Sequence, residues 1–212
     1  MPVLNSIEDA PSFVAAMPIV YPLERLTRDC ATILDVGCGS RSPLRFVKGR
    51  AHRVGFDGYQ PSIDEAARRS IHHEYICSTI EGLASLDRRF DAVIALEIIE
   101  HLPKEQGIPF VRQLERLASK IVILSTPNGF LPTPTQEANP YQQHLSGWTP
   151  EEFRALGYTV RGLSGVKRIR GEAGKVVLRP AAFWWPVSKL TEPLVWKQPD
   201  RAFGLLCYKR LG

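Results

Sequence analysis

An α/β fold, a mostly parallel sheet with helices on both faces, is predicted by three features of this 212-residue sequence. Short apolar runs alternate with helical patterns from residue 32 onward. The first run closes on a glycine loop that leads toward a helix start. The fourth run, Phe90-Asp91-Ala92-Val93-Ile94-Ala95-Leu96, is almost continuously apolar, as a strand covered on both faces must be.

The elements follow in order. After an irregular leader, Thr32–Val36 reads as a buried strand ending in Gly37-Cys38-Gly39-Ser40-Arg41-Ser42. Pro43 suits the first turn of a helix, where its missing N–H costs nothing. His52–Phe56 is a second strand, closed by Asp57 and Gly58. Ser62–Ser70 reads as a helix with Ser62 as its cap. Glu74–Cys77 is strand three and Phe90–Leu96 strand four. Val111, Leu114 and Leu117 form a helical stripe, and Lys120–Leu124 is strand five. A long polar loop covers Phe130 to Trp148. Thr149-Pro150-Glu151-Glu152 then has the cap, proline and early acids of a helix start, with Gly157 at its end. Tyr158–Gly162 is strand six and Ala202–Tyr208 strand seven.

The chain is read as one domain, residues 1–212, with an insertion over 163–201 that serves as a substrate cap or a docking element for a membrane or partner. A composition of 44% hydrophobic and 23% charged residues argues against wholesale disorder. No apolar run is long enough to span a bilayer, and the first residues lack a secretory pattern, so a cytoplasmic location is expected. The four cysteines are scattered, which disfavours disulfides and cysteine-built zinc sites; Cys77 and Cys207 read as small buried thiols. Residues 1–150 carry 15 Lys and Arg against 17 Asp and Glu, whereas residues 151–212 carry 12 against 5. Such a basic end can steer an anionic substrate, a nucleic acid or a membrane surface, or serve as a solvated face.

Ligands of open parallel sheets bind beyond the carboxyl ends of the strands. Gly37 and Gly39 permit a tight turn and close backbone approach there. Asp57, at the end of strand two, can accept from both hydroxyls of a ribose, or can merely cap the Gly58 turn. On these residues alone a nicotinamide-dependent enzyme stays open.

Asp35-Val36-Gly37-Cys38-Gly39 resembles the first motif of class I S-adenosylmethionine-dependent methyltransferases, and Phe90–Leu102, which includes Glu97-Ile98-Ile99-Glu100-His101, is similar to that family's fourth-strand motif. Ser125-Thr126-Pro127-Asn128 and the pair His144 and Trp148 extend the resemblance, which spans roughly residues 30–162. It implies a Rossmann-like seven-stranded sheet with an antiparallel last strand, and S-adenosyl-L-methionine as cofactor. It further implies that Asp35 orients the methionine amino group, and that Gly37 and Gly39 pass beneath the methionine and ribose. Asp57 would hold the ribose hydroxyls, Gly58 and Tyr59 would border the adenosine, and Ser78 or Thr79 would stand where relatives place an adenine-contacting Asp. Leu96 and Glu97 would line the amino-acid end. The family's third glycine is missing, with Arg41 near that place, so that side chain must point away from the ligand.

Methyl transfer asks mainly for alignment and a destination for the acceptor's proton, for which a histidine suits. His101 and His144 are the candidate catalytic residues, against the plainer roles of a cap and a loop-fixing hydrogen bond. The resemblance also raises a divalent cation held by Glu97, Glu100, His101 and His144, although many relatives carry the EH pair without metal. In the insertion, Phe183, Trp184, Trp185 and Trp196, with Lys189 and Lys197, suit burial in the fold, a homodimer, a membrane interface or an apolar substrate. The expected function is methyl transfer to oxygen, or nitrogen, of a small or lipid-linked acceptor; nucleic acid is not an expected partner. The alternatives are a NAD-dependent oxidoreductase and a non-catalytic S-adenosylmethionine-binding scaffold.

Overall fold

The computed structural model describes residues 9–133, 139–169, 178–180, 184, 187 and 190–212. Seven strands form one sheet in the order β3-β2-β1-β4-β5-β7-β6. They are β1 (Thr32–Val36), β2 (His52–Asp57), β3 (Glu74–Cys77), β4 (Phe90–Leu96), β5 (Ala118–Pro127), β6 (Thr159–Val166) and β7 (Ala202–Arg210). β1 to β5 pair in parallel, and β7 lies antiparallel between β5 and β6.

Side-chain alternation along the strands divides the core in two. Val93 and Ala95 of β4 face one layer, under helix α3 (Lys104–Leu117) and the short helix α4 (Pro150–Ala155). Ala92 and Ile94 face the other, under α1 (Asp9–Thr27). The short helix α5 (Glu192–Trp196) lies on that second side against β6, with Val195 buried. Helix α2 (Gln60–Arg68) covers β2 and β3 through Ile63 and Ala66. No helix among the described residues is long and apolar enough to cross a membrane.

Several local expectations change. The leader expected to be irregular contains α1, whose Pro18 and Pro22 read as breakers. Val20, Leu23 and Leu26 pack on the sheet, and this burial outweighs the lost backbone bonds. Helix α2 begins at Gln60 with Tyr59 in the cap position and no side-chain cap, so Ser62 is interior. Pro43 opens a 3-10 turn, Pro43–Phe46, capped by Ser42. Thr149 and Glu152 form the expected reciprocal capping box of α4.

Strand β6 continues to Val166, past the expected end at Gly162, through an irregularity between Leu163 and Val166 where Ser164 and Gly165 adopt positive φ. The insertion therefore starts at Lys167. Cys207 is buried as expected, but Cys77 is exposed, because β3 is an edge strand with little covering it. Of the insertion's named residues, Phe183, Trp185 and Lys189 lie outside the described residues; Trp196 packs partly buried against the second core layer.

Candidate functional site

The site is built at the carboxyl ends of β1, β2 and β4. Gly37 and Gly39 take φ of +68° and +55°. A Cβ on Gly37 would stand 2.0 Å from Cδ1 of Ile98, whereas one on Gly39 would meet nothing within 4 Å. The first glycine thus seats the loop against β4's end, and the second leaves open space above it. The N–H groups of Gly37 and Cys38 donate to the carbonyl of Phe56 at 2.7 and 3.1 Å, tying the loop to β2.

Asp57 is fixed by two backbone donors. The Gly39 N–H donates to Oδ2 and the Tyr59 N–H to Oδ1, each at 2.8 Å. Each carboxylate oxygen keeps a lone pair for a further donor. Ser78 lies beside it, its N–H donating to the Asp57 carbonyl at 3.0 Å.

A cavity of about 780 Å³ opens between this loop and the end of β4. It brings together Gly37, Gly39, Asp57, Gly58, Ser78, Thr79, Leu96, Glu97, His101 and His144 from the sequence reading. Asp35 and Tyr59 are not among its described walls. Tyr59 contributes its backbone N–H to Asp57, while Asp35 is buried behind the loop, its Oδ2 accepting from Ser42 Oγ at 2.6 Å and facing His72 Nε2 at 2.8 Å. Arg41 is exposed and outside the walls, as the loop requires. The apolar wall Ile80 and the loop residues Tyr141 and Gln143 carried no motif that marked them, and Ile98 stood inside the fourth-strand motif without an assigned role.

The acidic end has its own construction. Glu97 adopts φ of +56°, a strained choice for a residue with a side chain. Its N–H donates to the Ser125 carbonyl at 2.9 Å, and Ser125 Oγ donates to its Oε1 at 2.7 Å. Glu97 is open to the cavity and enclosed by protein elsewhere, and this desolvation raises its pKa against the Ser125 bond. Glu100 is buried, with neither carboxylate oxygen in a hydrogen bond among the described residues. Desolvation first, then the neighbouring Glu97, push its pKa well above the ordinary value.

Two histidines complete this end. His101 Nδ1 faces the Gln143 carbonyl at 3.1 Å and His144 Nδ1 faces the Leu131 carbonyl at 2.6 Å, so each Nδ1 carries the proton and each Nε2 keeps its lone pair. The rings meet edge to face, 4.8 Å between centroids. Burial lowers the pKa of His101. One ligand atom each from Glu100, His101 and His144 lies within 4.8 Å of the others. The loop that delivers His144 is anchored to the turn after β4: the Leu145 and Ser146 N–H groups donate to the Glu100 carbonyl at 2.7 and 3.0 Å. Buried Trp148 donates to Ser146 Oγ and lies beneath the Lys104 ammonium, 3.6 Å from its ring centroid.

Residues 33–120 match the family model described as a methyltransferase domain. The matched stretch is thus similar to methyltransferase domains. A ubiquinone biosynthesis O-methyltransferase of Bartonella tribocorum is 30% identical over 115 residues, 45% of this chain and 46% of the relative. One from Rickettsia conorii is 28% identical over 160 residues, 68% of this chain and 52% of the relative. The chain thus spans about half the length of the curated relatives it matches. The fold is shared with a SAM-dependent methyltransferase from Archaeoglobus fulgidus, at TM-score 0.58 and 17% identity over 92% of this chain and 94% of that one. It is also shared with the plantazolicin methyltransferase BpumL in complex with SAH, at TM-score 0.56 and 19% identity over 93% and 82%.

The cavity fits S-adenosylmethionine, the cofactor that the similarity to methyltransferase domains implies. Its described walls include Asp57, Glu81, Glu97 and Glu100 but no lysine or arginine. Such walls suit a ligand bearing a sulfonium and an ammonium, and repel the pyrophosphate of a dinucleotide. Gly39 leaves space for the ligand's approach, and Asp57 stands ready for a ribose diol.

Proposed function

We propose that this domain transfers a methyl group from S-adenosylmethionine to an oxygen, and secondarily a nitrogen, of a small or lipid-linked acceptor. The observation that carries the reading is the acidic cavity, with no lysine or arginine among its described walls, that joins the glycine loop and Asp57 to two histidines. The bound cofactor supplies the activated methyl; the chain's residues orient, enclose and accept a proton. Asp57 and the glycine loop hold the nucleoside, and Glu97 with the strand end holds the amino-acid part. The acceptor then lies on the side of His101 and His144, whose free Nε2 atoms accept the proton that an attacking hydroxyl must lose. A lowered pKa keeps His101 neutral, as a base must be.

A divalent cation at Glu100, His101 and His144, with Glu97 beside them, is the second reading for the acceptor end. The buried Glu100 carboxylate without a donor and the 4.8 Å grouping favour it. A carboxylate with two imidazoles is a suitable donor set, and a bound cation would lower the pKa of an acceptor hydroxyl. The exposed Leu190 and Leu194 of the insertion support a docking role at an apolar or membrane surface, where a lipid-linked acceptor would be met.

Calorimetric titration with S-adenosylmethionine, S-adenosylhomocysteine and NAD tests the first claim: binding of the first two and not the third is expected. A labelled-methyl screen of cell extracts then tests turnover; cofactor binding without any labelled product would favour a non-catalytic scaffold. Chelator-treated protein that binds no Mg²⁺ or Mn²⁺ and keeps full activity would end the cation reading.

A further inference from the structure

We propose that His72 is a positioning residue for the cofactor loop, acting through Asp35 and Ser42 without touching the ligand. The proposal rests on the cavity being the S-adenosylmethionine site. Residues 37–41 lie between Asp35 at the end of β1 and Ser42 at the start of the next turn. Those two side chains are joined at 2.6 Å, so the loop is closed at its base. Ser42 Oγ also accepts from the Leu44 N–H at 3.2 Å, which ties the loop's exit to the turn that follows. The loop is therefore held at its tip by Asp57 and at its base by Asp35.

His72 completes the base. Its side chain is fully buried, and Nε2 lies 2.8 Å from Asp35 Oδ2. Its Nδ1 has no hydrogen-bond partner among the described residues. An ionised Asp35 only accepts, so the bonding pattern assigns the proton to Nε2 and a lone pair to Nδ1. Burying an imidazole with one nitrogen unpaired is costly, and the one bond it makes is directed at Asp35. Its position is set by the Tyr75 hydroxyl, which accepts from the His72 N–H at 3.0 Å and donates to the Ala66 carbonyl at 2.8 Å. The chain Ala66–Tyr75–His72–Asp35–Ser42 thus carries the placement of α2 and β3 to the loop that lies under the cofactor. Without the Nε2 donor, a buried Asp35 keeps Ser42 as its remaining side-chain donor, and the loop base loosens.

The test is calorimetric binding of S-adenosylhomocysteine to folded wild-type, His72→Leu and His72→Gln proteins, with melting temperatures recorded alongside. His72→Leu removes the donor at similar volume, and its dissociation constant is expected to rise on the order of ten- to a hundredfold. His72→Gln presents an amide N–H at comparable reach, and is expected to stay within about threefold of wild type. If His72→Leu does not fold, Ser42→Ala breaks the same base and is expected to weaken binding in the same direction. A His72→Leu or Ser42→Ala protein that melts lower yet binds as tightly as wild type would overturn the proposal, as would a Gln variant no better than Leu. Wild-type protein that binds neither S-adenosylmethionine nor its product overturns the reading of the cavity as well.

Discussion

Two concavities of similar size mark this molecule, and they are opposite in chemistry. The cavity at the strand ends, about 780 Å³, has four acids and no lysine or arginine in its described walls. The groove between α1, α5 and the β6 edge, about 840 Å³, is lined by Arg25, Arg28, Arg161 and Arg210, with Glu192 as its acid. Volume alone would not separate them. The first is framed by positive-φ backbone, buried carboxylates and paired histidines, which are costly to fold and hence informative. The second is lined mainly by side chains of helices and strands, with Ser164 of the β6 irregularity as a positive-φ residue at its edge. Two of its arginines, Arg161 and Arg210, belong to the basic stretch of residues 151–212, and Arg25 and Arg28 come from the N-terminal part. The contrast teaches that the strained, desolvated concavity, whichever is larger, is where chemistry should be sought.

The comparison can be broken most readily at Asp57. Asp57→Ala removes the carboxylate that orders Gly39 and, in the proposed function, holds the ribose; S-adenosylhomocysteine affinity should then fall more than about a hundredfold, since each bond to a charged group contributes about 1.5–3 kcal/mol. A protein that remains folded by circular dichroism and binds normally would move the cofactor elsewhere. Next is Gly37→Val, which combines a left-handed φ with a 2.0 Å clash on Ile98. Urea unfolding should show a loss of about 3 kcal/mol, whereas Gly39→Ala, with open space at its Cβ, should lose about 1–2 kcal/mol.

The acidic end sharpens the contrast through pH. Glu97 and Glu100 have raised folded pKa values, so their contribution is fully present below the unfolded value of about 4.5 and is lost as pH rises through the folded values. Metal-free Glu100→Gln should therefore gain melting temperature relative to wild type as pH increases from about 4.5, reaching a few degrees by neutrality. The difference between the two proteins cancels the opposite slope from His101, whose pKa is lowered. A difference independent of pH would show that Glu100 is not desolvated as described. The smallest effect belongs to the other concavity: Arg161→Gln and Arg210→Gln should leave cofactor affinity within about twofold, measured by the same titration.

Legibility followed locality. Strands β1, β3 and β4 match the sequence reading because continuous apolar runs bounded by turns need no tertiary information. Helix α1 was hidden by Pro18 and Pro22, since only its packing on the sheet shows why two prolines are tolerated. The end of β6 was hidden by Gly162, Ser164 and Gly165, a composition shared by turns and by the bulge actually present. In the site, Gly37, Gly39 and Asp57 were readable because their spacing follows the strands. Asp35 was read as a cofactor contact, whereas the structure places it behind the loop with His72, 37 residues away, and no local pattern pairs the two.

One pairing has a consequence for how this chain can change. Val166 and Ala202 face each other across β6 and β7, so whatever joins them leaves and re-enters the sheet at neighbouring points. Lengthening that connection ahead of α5, whose Val195 and Trp196 pack on the sheet, adds only a slowly growing closure entropy and leaves the ladder's register untouched. The sheet can thus accept added sequence there as a socket accepts a plug, which makes that stretch a natural splice point for building chimaeras.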